Sequence, residues 1–145
     1  MPNPRDVLAK AFTRLHRALF DATKGRLGGT GFGMPVVKLE TTGRKSGAQR
    51  ATMLTMPIHD DNRVVLVASN GGADRHPAWY LNLTAKPEVR VTFDGRTREM
   101  VAHTASFEEK AELWPEVTAA YKGYAGYQTK TDRDIPLVVL SPAPE

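Results

Sequence analysis

The hydrophobic positions near the N-terminus repeat with the period of an α-helix. Between residues 5 and 24, Leu8, Phe12, Leu15 and Leu19 recur three or four positions apart, and Arg14, Arg17 and Lys24 fall mostly elsewhere around the helical wheel. The glycine-rich segment that follows, KGRLGGTGFG, cannot continue this pattern. The sequence therefore predicts a basic amphipathic helix over residues 1–26.

After residue 27 the apolar positions come in short runs, and several of them alternate with a period of two. Turn signals separate six such runs: PVVKLETT, RATMLTMPI, RVVLVAS, EVRVTFD, RTREMVAHTA and IPLVVLS. The clearest turn is Asp94-Gly95, because this dipeptide between alternating runs is typical of a β-hairpin. Short strands without a repeating βαβ order predict an antiparallel barrel over residues 27–145, in one domain with the helix.

Two further helices are expected to interrupt the strands. The first covers HPAWYLNLTAK, in which Pro77 suits the first turn of a helix. The second covers SFEEKAELWPEVTAAYKGY, in which Ser106 and Glu109 have the spacing of a capping box. The predicted fold is therefore α+β and mainly β.

Composition excludes several classes of site. The 145 residues contain no cysteine, so neither disulfides nor thiolate metal sites can form, and a cytoplasmic location is expected. No apolar run approaches the roughly 20 residues of a membrane-spanning helix, and the N-terminus lacks the apolar core of a secretory signal. No second histidine or carboxylate stands at metal-ligand spacing from His76, so no metal is predicted. His76 is expected to cap the helix that follows it.

Charge is spread unevenly along the chain. Residues 1–50 contain ten Lys and Arg against three Asp and Glu, whereas the remaining residues contain ten against thirteen. This asymmetry favours an anionic partner near the N-terminal third, such as a nucleic acid, an anionic membrane surface or a phosphorylated small molecule. Nucleic acid is the weakest of these, because aromatic residues are not interleaved with the basic ones. A solvated basic helix without a function is the alternative.

The segment TTGRKSGAQR, residues 41–50, places three cations, two glycines and three hydroxyls between two predicted strands. Charge-assisted hydrogen bonds from Arg and Lys bind phosphates and carboxylates strongly, so the segment is a candidate anion site. It is not a P-loop, because the GxxxxGK[ST] spacing is absent. A charged hairpin tip remains the alternative.

Two later segments have the composition of a pocket wall. In ASNGGADRHPAWYLNL, Gly71-Gly72 would allow close approach of the backbone, and a helix start then presents Trp79 to a flat ring. The alternative is a loop leading into a core helix. In YKGYAGYQ three tyrosines recur at three-residue spacing, although Gly123 and Gly126 indicate that the helix ends there. These tyrosines could bind a planar polar molecule or simply close the core.

No common nucleophile or metalloprotease motif is present, so an enzyme of this sequence would take its reactive group from a cofactor. The segments TTGRKSGAQR, VASNGGADRHPAWYLNL, Y..Y..YQ and IPLVVL, in this order and spacing, resemble the deazaflavin-dependent nitroreductase family of actinobacteria. The resemblance runs from about Leu27 to Leu140. It implies a split β-barrel with Greek-key topology, of the kind that binds flavins, and coenzyme F420, an 8-hydroxy-5-deazaflavin. FMN is the alternative cofactor.

The resemblance also implies roles for individual residues. Arg44, Lys45 and Ser46 would hold the phosphate and glutamate tail of the coenzyme. Ser69, Tyr121 and Tyr127 would form the acceptor pocket and carry the catalytic hydroxyls. Family members commonly have Lys where Asn70 stands. The other implied coenzyme contacts are Arg50, Ala51, Thr52, Met53, Leu54, Thr55, Val67, Ala68, Ser69, Asn70, Ala78, Trp79, Tyr80, Leu81, Asn82 and Tyr124.

The implied activity is hydride transfer from reduced F420 to a flat electrophile, either a quinone or a nitroaromatic. Two alternatives from other classes are a barrel that binds flavin, deazaflavin or haem without catalysis, and a membrane-surface module. The N-terminal helix would either cover the barrel mouth or contact anionic lipid at the inner face of the membrane. A monomer or a homodimer is expected.

Overall fold

The computed structural model describes residues 30–31, 33–60 and 62–144, so the helix predicted over residues 1–26 lies outside the described part. Within these residues there are three helices, α1 (Ala78–Ala85), α2 (Phe107–Ala120) and α3 (Gly123–Thr129), and a 3-10 turn at Asn70–Gly72. The strands are β1 (Thr30–Gly31), β2 (Met34–Thr42), β3 (Gln49–Thr55), β4 (Ile58–Asp60), β5 (Arg63–Val67), β6 (Glu88–Phe93), β7 (Arg96–Thr104) and β8 (Leu137–Pro142).

The described strands form one antiparallel sheet, which confirms a mainly β fold. Its order is β1-β2-β6-β7-β8-β5-β4, and β3 pairs with β2 off this path. All six predicted runs form strands, and the short strands β1 and β4 add to them. The predicted hairpin is also confirmed, because Asp94 and Gly95 join β6 to β7 with the positive φ angles, 51° and 76°, that a type I′ turn requires.

The apolar core consists of two clusters on opposite faces of the sheet. Along β5, Val64 and Leu66 belong to one cluster, whereas Val65 and Val67 belong to the other. Strand β8 alternates in the same way, which explains why both strands are continuous apolar runs in the sequence. Trp79 and Leu83 of α1 complete the first cluster, and α2 and α3 complete the second.

The helices differ from the prediction at their ends. The capping box is confirmed, because the Glu109 N–H donates to Ser106 Oγ (3.1 Å) and the Ser106 N–H donates to the Glu109 carboxylate (3.3 Å). The N-cap of α1 is Pro77 rather than His76, and it makes no side-chain cap bond. The prediction of one helix through residue 124 is wrong, because Tyr121 is extended (φ −155°) and separates α2 from α3.

Gly123 and Gly126 both lie inside α3, so they do not mark the end of helical structure as the sequence indicated. A Cβ atom at Gly123 would clash with the ring of Tyr121. The glycine therefore allows α3 to begin directly beside the tyrosine that ends α2.

Candidate functional site

Two cavities lie along β3. The first, here called the loop cavity, has a volume of about 530 Å³ and is lined by Thr41, Gly43, Arg44, Lys45, Ser46, Arg50, Ala51, Thr52, Ala78, Trp79 and Asn82. The second, here called the tyrosine cavity, has a volume of about 230 Å³ and is lined by Met53, Leu54, Thr55, Val67, Ser69, Gly71, Tyr121, Tyr124 and Tyr127. The structure thus brings most of the predicted site residues into two adjacent spaces.

Strand β3 borders both cavities. Residues 50–52 line the loop cavity, and the next three residues, 53–55, line the tyrosine cavity. Side chains of a strand alternate between faces, so consecutive lining residues indicate that the strand faces the cavities with its edge. Among the described strands β3 pairs with β2 alone. Its other edge therefore has backbone N–H and C=O groups that a ligand could bind.

The loop between β2 and β3 is an ordered hairpin tip. The Gly43 N–H donates to the Ala48 carbonyl (2.7 Å), the Gly47 N–H donates to the Gly43 carbonyl (2.8 Å), and the Ala48 N–H donates to Ser46 Oγ (3.1 Å). A Cβ at Gly43 would lie 3.0 Å from Ser46 Oγ and 3.1 Å from the Ala48 carbonyl oxygen, so the turn is tight at this position. The Ser46 hydroxyl accepts one bond and keeps its own hydrogen to donate.

Asn82 on α1 fixes this loop to the rest of the fold. Its Oδ1 accepts from the Arg44 backbone N–H (3.2 Å) and from the Arg44 guanidinium (3.0 Å), and its Nδ2 donates to Thr41 Oγ1 (3.2 Å). The Asn82 side chain is buried, with 5% of its surface exposed. Most of its hydrogen-bonding capacity is therefore used to hold the loop.

The loop cavity has a positive electrostatic character. Arg44, Lys45 and Arg50 are exposed, and no salt bridge among the described residues involves any of them. Ala78 and Trp79, which form the first turn of α1, line the same cavity. The N-terminus of a helix also favours negative charge. The cavity is thus suited to an anion beside a tryptophan.

The tyrosine cavity is built around three rings packed edge to face. The ring centroids of Tyr121 and Tyr124 are 5.2 Å apart, and that of Tyr127 lies 6.4 Å from each. The Tyr124 hydroxyl is 2.7 Å from Thr55 Oγ1, which ties α3 to the end of β3. Edge-to-face packing of this kind holds the rings in fixed orientations.

The hydroxyls of Tyr121 and Tyr124 keep their protons at neutral pH, because the pKa of each is raised. Burial raises the pKa of Tyr124, and the hydrogen bond with Thr55 opposes this only in part. The pKa of Tyr121 is raised mainly by a hydrogen bond to Tyr127 and, to a smaller extent, by desolvation. These phenols can therefore act as hydrogen-bond donors toward a group in the cavity, and they do not supply a negative charge.

Ser69 lines the tyrosine cavity together with the three tyrosines. The residue is 8% exposed, and its hydroxyl makes no hydrogen bond to any described residue. Gly71 lines the cavity beside it, whereas a Cβ at Gly72 would lie 2.9 Å from the Tyr127 carbonyl oxygen. The close backbone approach predicted for this glycine pair is therefore made, at Gly72, to α3 of the same chain.

Four predicted coenzyme contacts line neither cavity. Ala68 is fully buried in the core, and Leu81 lies outside both lining sets. Asn70 has a positive φ of 47°, and its side-chain amide donates to the Arg75 carbonyl (3.2 Å). The Tyr80 hydroxyl is paired with Thr104 (3.0 Å). These contacts do not test the predicted role of the four residues, which stays a prediction, as do the roles of the others.

Arg133 holds the segment that carries Ser69, and this role was not predicted from the sequence. Its guanidinium donates to the carbonyls of Ala68 (3.1 Å), Ser69 (2.8 Å) and Ala73 (3.0 Å), and to His76 Nδ1 (3.1 Å). No motif in the sequence marks Arg133, because its partners lie about 60 residues away along the chain. The residue is half-buried and lines neither cavity.

The described residues hold neither a membrane span nor a metal cluster. No helix in this part of the chain is long and apolar enough to cross a membrane. No group of three or more His, Cys, Asp or Glu side chains within it could hold a metal ion. The two cavities along β3 are therefore the features on which a functional interpretation can rest.

Comparison with known proteins identifies the family. The model of the F420H(2)-dependent quinone reductase family matches residues 12–142. This chain belongs to that family. An F420H(2)-dependent quinone reductase of Mycobacterium tuberculosis strain H37Rv is 37% identical over 135 residues, which cover 88% of each chain.

Solved structures also match this member of the quinone reductase family. A structure described as an F420-H2 dependent reductase (FDR-A) is 38% identical, with a TM-score of 0.67, and the match covers 74% of this chain and 94% of that one. A structure described as a domain-swapped dimer is 33% identical, with a TM-score of 0.69, over 96% of this chain and 100% of that one. The resemblance inferred from the sequence is thus confirmed.

The hydrogen bonds by which Asn82 holds the loop between β2 and β3 can be tested by mutation. We expect Asn82→Ala to lower the free energy of unfolding by about 1–3 kcal/mol, because it leaves the Thr41 hydroxyl and the Arg44 N–H without partners. Urea denaturation measures this change. Thr84→Ala on the same helix is the control, because its exposed hydroxyl bonds to the Leu81 carbonyl within the helix and not to the loop. An unfolding midpoint equal to that of the control would contradict the assignment.

His76 gives a test by pH. Burial, and then the charge of Arg133, lower the pKa of His76 below its ordinary value of 6.5. The folded protein then holds fewer protons than the unfolded chain between these two pKa values, so its stability should fall as the pH drops below about 6.5. NMR titration of the imidazole, assigned with a His76→Gln variant, measures the pKa directly. A value at or above 6.5 would be evidence against the Arg133 contact.

Proposed function

We propose that this protein is an F420H(2)-dependent quinone reductase that binds its coenzyme along the free edge of β3. The observation that carries the proposal is the pair of cavities on consecutive residues of this strand, one cationic and the other lined by tyrosine and serine hydroxyls. An extended strand rises about 3.3 Å per residue, so residues 50–55 span about 17 Å. That length suits an elongated coenzyme with an anionic tail and a flat ring.

The donor groups of the loop cavity fit the tail. Lys45, Arg50 and the remaining N–H groups of the Arg44 guanidinium would bind its phosphate and carboxylates, and Ser46 would add a hydroxyl donor. Charge-assisted bonds of this kind are the strong ones. Trp79 would cover an apolar part of the coenzyme, while the backbone edge of β3 would bind polar groups of the ring.

The residues of the tyrosine cavity have a separate task. When bound, reduced F420 supplies a hydride. The chain's contribution is to hold the acceptor flat against the cavity wall and to donate hydrogen bonds to the acceptor oxygen on which negative charge develops. Ser69 and Tyr127 are suited to this, because contact with the other two tyrosine rings fixes Tyr127 and the Ser69 hydroxyl has no described partner. Thr55 and Tyr124 would position the ring at the inner end of β3.

Quinones are the proposed acceptors, and nitroaromatics are a second class of flat electrophile that the same donors could bind. We further propose that the sheet belongs to a split β-barrel with Greek-key topology, as the family resemblance implies. A homodimer is the proposed assembly, since a similar solved chain is described as a domain-swapped dimer. Location in the cytoplasm remains a prediction from the composition. Peripheral membrane contact through the N-terminal helix remains a prediction that depends on residues outside the described part.

Coenzyme binding by the loop is tested by titration. Wild-type protein should bind reduced F420 and should not bind FMN, as followed by absorbance or fluorescence. Lys45→Ala and Arg50→Ala should each weaken F420 binding by about 1.5–3 kcal/mol, the scale of a hydrogen bond to a charged group. Lys86→Ala, an exposed cation at the end of α1 that lines neither cavity, is the control. Wild-type affinity in both loop variants would mean that the loop binds something else.

The acceptor site is tested by removing single hydroxyls. Tyr127→Phe and Ser69→Ala should each lower kcat with a quinone by about tenfold to a hundredfold, because one hydrogen bond to developing charge contributes about 1.5–3 kcal/mol. The KM for reduced F420 should stay unchanged, since neither hydroxyl lines the loop cavity. Ser141→Ala on β8 controls for the loss of a serine elsewhere. If both site variants turn over as fast as wild type, these hydroxyls belong to the core.

A further inference from the structure

We infer that Arg133 is a positioning residue of the acceptor site, because it joins the segment that carries Ser69 to α3, the helix that carries Tyr127. The inference rests on the proposed function. Arg133 lines neither cavity, so any effect it has on the reaction passes through other residues.

The guanidinium of Arg133 makes the first part of this connection, to the segment that carries Ser69. One Arg133 nitrogen, Nη2, donates to the carbonyl of Ser69 itself (2.8 Å). The other two reach the carbonyls of Ala68 and Ala73, on either side of the 3-10 turn, and Nη1 also reaches His76 Nδ1. A single planar side chain thus fixes both ends of the segment that presents the Ser69 hydroxyl.

The backbone of Arg133 makes the second part of the connection, to α3. Its carbonyl accepts from Gln128 Nε2 (2.8 Å), and Gln128 lies on α3 next to Tyr127. Gln128 Oε1 accepts in turn from the Ile135 N–H (3.0 Å). The Arg133 N–H donates to Thr131 Oγ1 (3.2 Å), whose hydroxyl donates to Asp74 of the Ser69 segment (2.8 Å). Gln128 therefore ties the backbone of Arg133 to α3, while the guanidinium of Arg133 holds the segment that carries Ser69.

The chemistry of the side chain explains why arginine stands at this position. Guanidinium has five N–H donors in a rigid planar fork, and here they serve four acceptors that face the fork from different directions. A lysine has one nitrogen on a flexible chain, so it cannot reach all four. At Gly72 the segment that carries Ser69 approaches Tyr127 of α3 closely. The hydrogen bonds of Arg133 fix how this segment and α3 are aligned.

The experiment compares Arg133→Gln and Arg133→Lys with wild type. We expect kcat with a quinone to fall on the order of 10- to 100-fold in Arg133→Gln, because misplacement of the donors by about 1 Å has effects of this size. Arg133→Lys should give an intermediate value. The affinity for reduced F420 should not change in either variant, which also shows that each is folded. Arg90→Gln, an arginine on β6 that pairs with Glu99 and Glu40, is the matched control.

Two results would overturn the inference. One is wild-type kcat in Arg133→Gln, and the other is an equal loss of F420 affinity and turnover, which would indicate a general structural role. If Arg133→Gln does not fold, Arg133→Lys is judged by the same two outcomes. Hydrogen exchange of the amides in residues 69–76 is measured without coenzyme and should be faster in both variants. If wild-type protein reduces no quinone, the proposed function fails, while this exchange still tests the Arg133 contacts.

Discussion

The antiparallel pairing of β2 with β3 determines where the groups of the candidate site lie. It runs from Val36 opposite Thr55 to Thr42 opposite Gln49. Val37 and Leu39, which are fully buried, fix this register, because a slip by one residue would turn both to the opposite face. With the register fixed, the cations fall at the hairpin tip and Thr55 falls within reach of the tyrosines.

The two ends of the site are supported by different parts of the core. Trp79 of the loop cavity lies in the cluster on one face of the sheet, whereas Tyr124 of the tyrosine cavity lies in the cluster on the other face. Strand β3 connects them along its edge. Asn82 and Arg133 then fix one loop at each end. The loop cavity and the tyrosine cavity therefore depend on different helices.

Local patterns in the sequence were sufficient for the six longer strands, the Asp94-Gly95 hairpin and the Ser106 capping box, because each depends on neighbouring residues. They were not sufficient for the break at Tyr121, which depends on space for a ring beside Gly123. The roles of Asn82 and Arg133 depend on hydrogen bonds across roughly 40 and 60 residues, and periodicity carries no information about these. The family resemblance supplied the site residues that local patterns alone left ambiguous.

The unpaired edge of β3 has a further consequence for solubility. Among the described strands this edge has no partner, and an open edge is a template on which a second chain can add a strand. Arg50 at the start of β3 and Lys45 in the adjoining loop are exposed there. Charged side chains at an open edge disfavour the addition of a further strand. The charges suited to an anionic ligand thus also oppose aggregation through the open edge of β3.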